Sequence, residues 1–311
     1  MTKHFLFVSA LLVLMCGICR AQTTADFAYQ FRVNGFGPDS AFVEPSALLL
    51  DEHAGSMYVA DSKAGEINVF NLQGMPKQRY GSSDGLKAPV GLALDKTGNL
   101  LVSEDEAGPI KTVSQSGSWG TFDLPVETGA KPPKPGRMTS DSDGNLYIVD
   151  RANNRLCVLD SDRKLKFYIT GPKKGFKDLT DCAVDRQSRI YAIDNSGQPV
   201  HVYDKKGKAL YKFGFQGQGS QDIGAPTGVF IDRNDQVWVV DKAQNALKVF
   251  DRTGTYLCAF GTYGVGEGQL AGPTDAKMDS FGRVYVIESG SRRLQVFALS
   301  RPFEPFTTPG L

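Results

Sequence analysis

Four charged side chains interrupt three short segments whose other residues are mostly small, apolar or hydroxylated. The segments read GRMTSD, TDCAVD and TDAKMD, and the charged residues are Arg137, Asp181, Asp275 and Lys277. Carboxylates beside cations can bind a polar ligand or transfer a proton, because each charge shifts the protonation of its neighbours. No Asn or Glu stands among these positions to complete an oxygen-rich ion site, so we predict neither a metal ion nor a cofactor.

A second group of charged residues is basic and occupies three segments, KPPKPGR, RANNR and GPKKGFK. We call this group the basic sector, and its members are Lys131, Lys134, Arg137, Arg151, Arg155, Lys173, Lys174 and Lys177. A cluster of one sign can attract an anionic partner over a distance that salt limits. The alternative is a set of ordinary solvated loops.

Several other kinds of site lack the residues that they need. Beyond residue 21 the histidines are His53 and His201, too few for a three-histidine zinc site. The sequence contains neither GxSxG nor HExxH. A net charge of +1 at pH 7 argues against a general nucleic-acid binder. We therefore assign no catalytic residue from these signatures.

The elements that position these charges belong to a sequence repeat. Six copies resemble DGNLYIVDRANNRLCVLD, and an Asp, called here the opening Asp, follows the first strand of each copy and recurs at intervals of 44 to 47 residues. These residues are Asp51, Asp95, Asp141, Asp185, Asp232 and Asp279. Each copy contains four short runs of alternating apolar and polar residues, separated by Gly-rich turns, which predicts four antiparallel strands. The fold predicted is an all-β, six-bladed β-propeller of four-stranded blades.

The first strand of each copy is the innermost strand and lines a central channel. Arg137, Asp181 and Asp275 stand four residues before the opening Asp of their copies, and Lys277 stands two before it. Positions two apart share one side of a strand, so these four side chains, the channel charges, should face the channel. One interpretation is a polar ligand site. The alternative is structural, with an Arg137–Asp181 ion pair between neighbouring blades and with Asp275 and Lys277 fixing the last blade.

A second acidic residue ends the second strand of every copy. These residues are Asp61, Glu104, Asp150, Asp194, Asp241 and Glu288. Because the feature repeats around the ring, we interpret it as an acceptor for backbone N–H groups and not as a ring of metal ligands.

The two ends of the chain determine how the ring closes. The sixth copy stops after its third strand near Leu299, while residues 28–45 resemble residues 256–273, a fourth strand with its connector. An N-terminal strand should therefore complete blade six. We predict a signal peptide over residues 1–21, a propeller over 22–299 and a Pro-rich tail over 300–311. A secreted or periplasmic monomer without stable membrane insertion is expected.

These repeats resemble the NHL family of β-propellers. The resemblance rests on the Pro-x-Gly start in PTGVFIDRNDQVWVVD, the Asp that ends the second strand and the connector FGTYGVGEGQLAGP. It covers nearly all of the chain after residue 21. Similar propellers include protein-binding sensor domains, RNA-binding domains and lyases, so the resemblance implies a fold more specifically than an activity.

The function favoured by the sequence is that of an exported, non-catalytic binding or scaffold module. It would recognise a protein or an anionic polysaccharide through one face of the propeller, and it would not bind nucleic acid. The alternative is a lactonase-like or lyase-like enzyme that uses the charged residues at the mouth of the central channel.

Overall fold

The structure is a computed structural model, and it describes residues 27–37, 39–173 and 175–299. The predicted signal peptide, the predicted tail, Pro38 and Lys174 lie outside the described residues. Within the described ranges, no helix is long and apolar enough to cross a membrane.

The helices and strands of the described residues are all β-strands apart from one 3-10 turn at Ser82–Asp84, and 24 of the strands form six four-stranded antiparallel sheets. The chain begins with β1 (Phe27–Val33) and a small hairpin of β2 (Gly35–Gly37) and β3 (Ser40–Ala41). Blade 1 contains β4 (Pro45–Asp51), β5 (Ser56–Asp61), β6 (Glu66–Asn71) and β7 (Pro76–Tyr80). Blade 2 contains β8 (Pro89–Leu94), β9 (Leu100–Glu104), β10 (Ile110–Val113) and β11 (Trp119–Phe122). Blade 3 contains β12 (Pro135–Ser140), β13 (Leu146–Asp150), β14 (Arg155–Leu159) and β15 (Leu165–Ile169).

The remaining three blades follow the same order. Blade 4 contains β16 (Leu179–Val184), β17 (Ile190–Asp194), β18 (Val200–Tyr203) and β19 (Ala209–Phe213). Blade 5 contains β20 (Pro226–Ile231), β21 (Val237–Asp241), β22 (Ala246–Phe250) and β23 (Tyr256–Phe260). Blade 6 contains β24 (Pro273–Met278), β25 (Arg283–Glu288) and β26 (Arg293–Leu299), and β1 pairs with β26 as its fourth strand. The predicted six-bladed propeller and its closure by an N-terminal strand are confirmed.

The ring has two faces, which differ in the loops and turns that they carry. The connector face carries the loops that enter each blade and the turns between second and third strands. The turn face carries the turns between first and second strands and between third and fourth strands. The innermost strands β4, β8, β12, β16, β20 and β24 run from the connector face to the turn face.

The repeated acidic residues hold the turns and connectors, as expected for a scaffold. Asp141 Oδ1 accepts hydrogen bonds from the backbone N–H groups of Asp143 and Asn145, and its Oδ2 accepts one from the Tyr147 hydroxyl at 2.8 Å. At the other end of a blade, Asp61 accepts from Val43 and Glu44 of the connector. Apolar side chains then fill the space between blades, and Tyr191 of blade 4 packs with Val229 and Val237 of blade 5.

Candidate functional site

The four channel charges all line one cavity of about 320 Å³ on the turn-face side of the central channel. Arg137 lies on β12, Asp181 on β16, and Asp275 and Lys277 on β24. The predicted placement in the channel is therefore correct for all four. We call this space the channel cavity.

Arg137 reaches across the channel and does not pair with its neighbour in blade 4. Its guanidinium forms an ion pair with Asp275 of blade 6, which stands opposite blade 3 in the ring. Nη2 also donates hydrogen bonds to the carbonyl oxygens of Ser46 (2.6 Å) and Thr274 (2.9 Å). The Arg137–Asp181 ion pair considered from sequence is wrong, because the long side chain extends to the far side and bridges blades 3, 6 and 1. Lys277 Nζ lies 2.9 Å from Asp275 Oδ1, so Asp275 contacts both cations.

Asp181 and Asp275 accept equivalent backbone hydrogen bonds at two different blade junctions. Asp181 accepts hydrogen bonds from its neighbour Cys182 N and from Val229 N on the next blade. Asp275 accepts in the same way from Ala276 N and from Leu48 N of blade 1. Both side chains are almost fully buried. The difference between them is that Asp275 alone also has two cations bound to it.

This difference separates the pKa values of the two carboxyl groups. Burial raises the pKa of Asp181, and the charges of Arg137 and Lys277 do not fully offset that effect. Burial acts on Asp275 too, but the adjacent charges of Arg137 and Lys277 outweigh it, so the pKa of Asp275 lies below its ordinary value. Carboxyl groups whose environments push their pKa values apart are suited to different roles in proton transfer.

The channel cavity has a charged floor and a mainly apolar wall. Leu49, Ala93, Ala183 and Phe230 line the wall at the position two residues before each opening Asp, and Thr139 adds a hydroxyl there. Ligand sites commonly combine such apolar walls with a few converging polar groups, and their volumes start at about 300 Å³. The cavity can therefore hold a small molecule with one polar end.

A second cavity of about 580 Å³ opens on the connector face and reaches Arg137 from the other side. Its charged lining includes Glu44, Lys63, Asp105 and Asp178. Arg137 thus lies between two spaces along the channel axis. Sequence reasoning missed this arrangement because the atoms that anchor Arg137, the Ser46 and Thr274 carbonyl oxygens, occur in every residue and give no sequence signal.

Acidic partners neutralise much of the basic sector. Lys134 and Arg151 both pair with Asp105 of blade 2, at 3.2 and 2.7 Å. Arg155 is buried, pairs with Asp150 and Glu127, and places its guanidinium 3.7 Å from the Tyr168 ring centre. Arg155 therefore belongs to the interior of blade 3 and not to a binding surface.

The rest of the basic sector is more dispersed. Lys131, Lys173 and Lys177 are exposed, Arg137 lies in the channel, and Lys174 is outside the described residues. Among the described residues, no salt bridge involves Lys131, Lys173 or Lys177. Lys131, Lys173 and Lys177 are therefore the described members of the basic sector that are exposed and form no salt bridge.

Across residues 27–37, 39–173 and 175–299, no group of three or more His, Cys, Asp or Glu side chains comes together in a way that could hold a metal ion. His201 is buried on β18, where its Nε2 lies 3.8 Å from Asp194 Oδ2. His53 is exposed in the turn after β4. The two histidines thus occupy different blades, as the sequence indicated.

No protein-family model and no curated protein matches the chain. Solved structures do share its fold. A virginiamycin B lyase from Staphylococcus aureus is 16% identical with a TM-score of 0.63, over 88% of this chain and 100% of the lyase. A gluconolactonase from Xanthomonas campestris is 15% identical with a TM-score of 0.62, over 90% of this chain and 100% of that one. A luciferin-regenerating enzyme is 13% identical with a TM-score of 0.63, over 83% and 92% of the two chains.

These similarities correct the function that the sequence favoured. Virginiamycin B lyase, streptogramin B lyase, a gluconolactonase and a luciferin-regenerating enzyme share this fold over most of their length, as does a protein of unknown function from Bacteroides thetaiotaomicron. The hypothesis of a non-catalytic binding or scaffold module is therefore contradicted.

Proposed function

We propose that the protein is an NHL-type propeller enzyme that catalyses lactone hydrolysis or a related elimination in the channel cavity. The observation that carries the proposal is the pair of buried carboxyl groups, Asp181 and Asp275, whose pKa values are shifted in opposite directions within one cavity. The Pro-x-Gly starts at Pro89 and Pro226 and the glycine-rich connectors support the NHL assignment.

Asp181 is the proton-transfer group in this proposal. Each of its oxygen atoms accepts one backbone hydrogen bond, which fixes the carboxyl group and leaves a further lone pair on each oxygen. A pKa above the ordinary Asp value makes the carboxylate a stronger base near neutral pH. It can then take a proton from an attacking water molecule, or from a carbon beside a carbonyl group.

Lys277 is the group that stabilises the negative charge formed in either reaction. An ammonium group has three donors, and Lys277 uses one of them on Asp275. Its side chain is 28% exposed, in contrast to the buried carboxylates, so the remaining donors can reach a substrate oxygen. The tetrahedral oxyanion of ester hydrolysis and the enolate of an elimination both place negative charge on such an oxygen.

Asp275 and Arg137 hold this arrangement in position without a direct role in proton transfer. Asp275 orients Lys277, and Arg137 keeps Asp275 ionised from across the channel. Fixed charges in a closed site stabilise a transition state more than mobile charges in water, because they need no reorganisation. The wall residues would hold the apolar part of the substrate.

The test is turnover of a panel of γ-lactones, δ-lactones and cyclic depsipeptides, with acid release and elimination products measured separately. Asp181→Asn should lower kcat by about 10²- to 10⁴-fold, the usual contribution of general acid–base catalysis. Lys277→Met should lower kcat as well. Asp162→Asn is the control, because Asp162 is exposed and pairs only with Lys96 at the surface. Full activity of Asp181→Asn on a substrate that the wild type converts would refute the proposed role.

A further inference from the structure

A cleft of about 790 Å³ opens on the turn face between blades 1 and 2, outside the channel cavity. Its lining includes Asp51, Tyr58, Lys77, Tyr80 and Leu94. Leu94 also lines the channel cavity, so this side chain separates the two spaces.

The cleft lies where blade 1 departs from a contact that four other blades share. Four blades place an aromatic residue on the second strand that is fully buried and donates a hydrogen bond to the opening Asp of its own copy. These pairs are Tyr147–Asp141, Tyr191–Asp185, Trp238–Asp232 and Tyr285–Asp279. Blade 1 has Tyr58 at the equivalent position, but Tyr58 is only half-buried and, in the described part of the chain, its hydroxyl makes no hydrogen bond to Asp51.

One additional residue in the first turn of blade 1 explains the difference. Asp51 and Tyr58 are seven positions apart, whereas Asp141 and Tyr147 are six apart. In blade 1 the ladder continues to an Asp51–Ser56 pair, and Asp51 Oδ1 accepts from Ala54 N. The carboxylate is thereby drawn into its own turn, and the Tyr58 ring and hydroxyl remain directed at the cleft.

The charges that line the cleft identify the kind of molecule it suits. Asp95 pairs with Arg163, and Lys96 pairs with Asp162, so those two charges already have partners. Lys77 donates to the Ser56 hydroxyl at 2.6 Å and to the Ala54 carbonyl oxygen at 3.3 Å, and to no carboxylate in the described residues, which leaves one of its three donors for a ligand. Asp51 and Lys77 therefore offer one acceptor and one donor with no net charge, beside the rings of Tyr58 and Tyr80.

We propose that this cleft is a second binding site and that it takes a neutral mono- or disaccharide. A sugar has an apolar ring face that packs on an aromatic side chain, and its hydroxyl groups both donate and accept hydrogen bonds. Asp51 would accept from one hydroxyl and Lys77 would donate to another. An anionic or cationic ligand would leave one of these two charges facing a like charge.

Binding of maltose, cellobiose and N,N′-diacetylchitobiose to the full-length protein, measured by isothermal titration calorimetry, tests the site. Lys77→Ala removes one donor and Tyr58→Phe removes the hydroxyl that faces the cleft, so each should weaken binding by about 2- to 10-fold, the loss expected for one hydrogen bond. Lys166→Ala is the matched control. Lys166 occupies the position in the fourth strand of blade 3 that Lys77 occupies in blade 1. There it donates a hydrogen bond to Asn145, beside the buried Tyr147.

Three results would overturn the proposal: no binding of any of these sugars, equal weakening by Lys166→Ala, or tighter binding of glucuronate than of the neutral sugars. Lactone or depsipeptide turnover provides an independent readout. Lys77 and Tyr58 do not line the channel cavity, so turnover should persist in both variants. Loss of sugar binding with retained turnover, or the reverse, would separate this proposal from that of the enzyme.

Discussion

Replacement of Arg137 by Met should destabilise the ring strongly, although it changes only one residue in the channel. The substitution removes the partner of Asp275, whose side chain is 2% exposed, and it leaves the Ser46 and Thr274 carbonyl oxygens without their guanidinium donor. Breaking a buried ion pair from one side typically costs 3–5 kcal/mol, because the remaining charge stays buried. Lys277 still contacts Asp275, so we expect about 3 kcal/mol, at the lower end of that range.

The measurement is urea unfolding at pH 7 together with a thermal scan. A loss of about 3 kcal/mol should lower Tm by roughly 5 °C, because an unfolding entropy of about 2.1 cal/mol/K per residue gives about 0.6 kcal/mol/K for a propeller of this length. Arg186→Met is the control, since Arg186 is 68% exposed and makes a surface ion pair with Asp235. Exposed pairs of this kind contribute about 0–1 kcal/mol, so the control should unfold almost as the wild type does.

The double variant Arg137→Met with Asp275→Asn separates the charge effect from the loss of packing. If the cost of Arg137→Met comes from an uncompensated carboxylate, the double variant should be more stable than the sum of the two single changes predicts. The pKa of Asp275 is lowered in the folded protein, so its ionised form stabilises the fold above the ordinary Asp pKa. That contribution is lost as the pH falls through the folded pKa. A cost below about 1 kcal/mol for Arg137→Met, or one that does not decrease in acid, would refute this reasoning.

Three further predictions concern other parts of the molecule. The rate of the proposed reaction should rise with pH through a pKa above about 3.9, the ordinary Asp value, because burial raises the pKa of Asp181 and the base must be ionised; a rate already constant below that pH would contradict this role. Tyr147→Phe should lower the free energy of unfolding by about 1.5–3 kcal/mol through loss of its hydrogen bond to Asp141, whereas Tyr58→Phe should change it by less than about 0.5 kcal/mol in parallel urea titrations. Deletion of residues 27–33 should leave the edge of blade 6 unpaired, and size-exclusion chromatography should then show aggregation instead of a single species.

The sequence predicted the scaffold well because the fold repeats and the repeat fixes register. Aligning the innermost strands on Asp141, Asp185 and Asp279 was enough to place Arg137, Asp181 and Lys277 in the channel. It could not identify the partner of Arg137. A flexible side chain can extend to an adjacent blade or across the ring, and the choice depends on the width of the closed channel and on backbone carbonyl groups.

The basic sector was overestimated for a related reason. Lys134 and Arg151 are close in sequence to other basic residues, but their partner Asp105 comes from the preceding blade. Arg155 is likewise neutralised by Glu127, 28 residues earlier in the chain. A pattern of like charges along the chain omits the opposite charges that folding brings beside them.

The pairing of β1 with β26 also determines when the molecule can become complete. Phe27 pairs with Leu299 and Val33 with Leu294, so β1 cannot pair until β26 has been synthesised. At about 5–20 residues per second, ribosomal synthesis separates the appearance of these two strands by roughly 15–50 s. During that interval blades 1 to 5 can form from local contacts, but no ring exists, and Arg137 lacks its partner on β24 until Asp275 is synthesised, 138 residues later. The central channel therefore closes only after the innermost strands of blades 1 to 5 have formed.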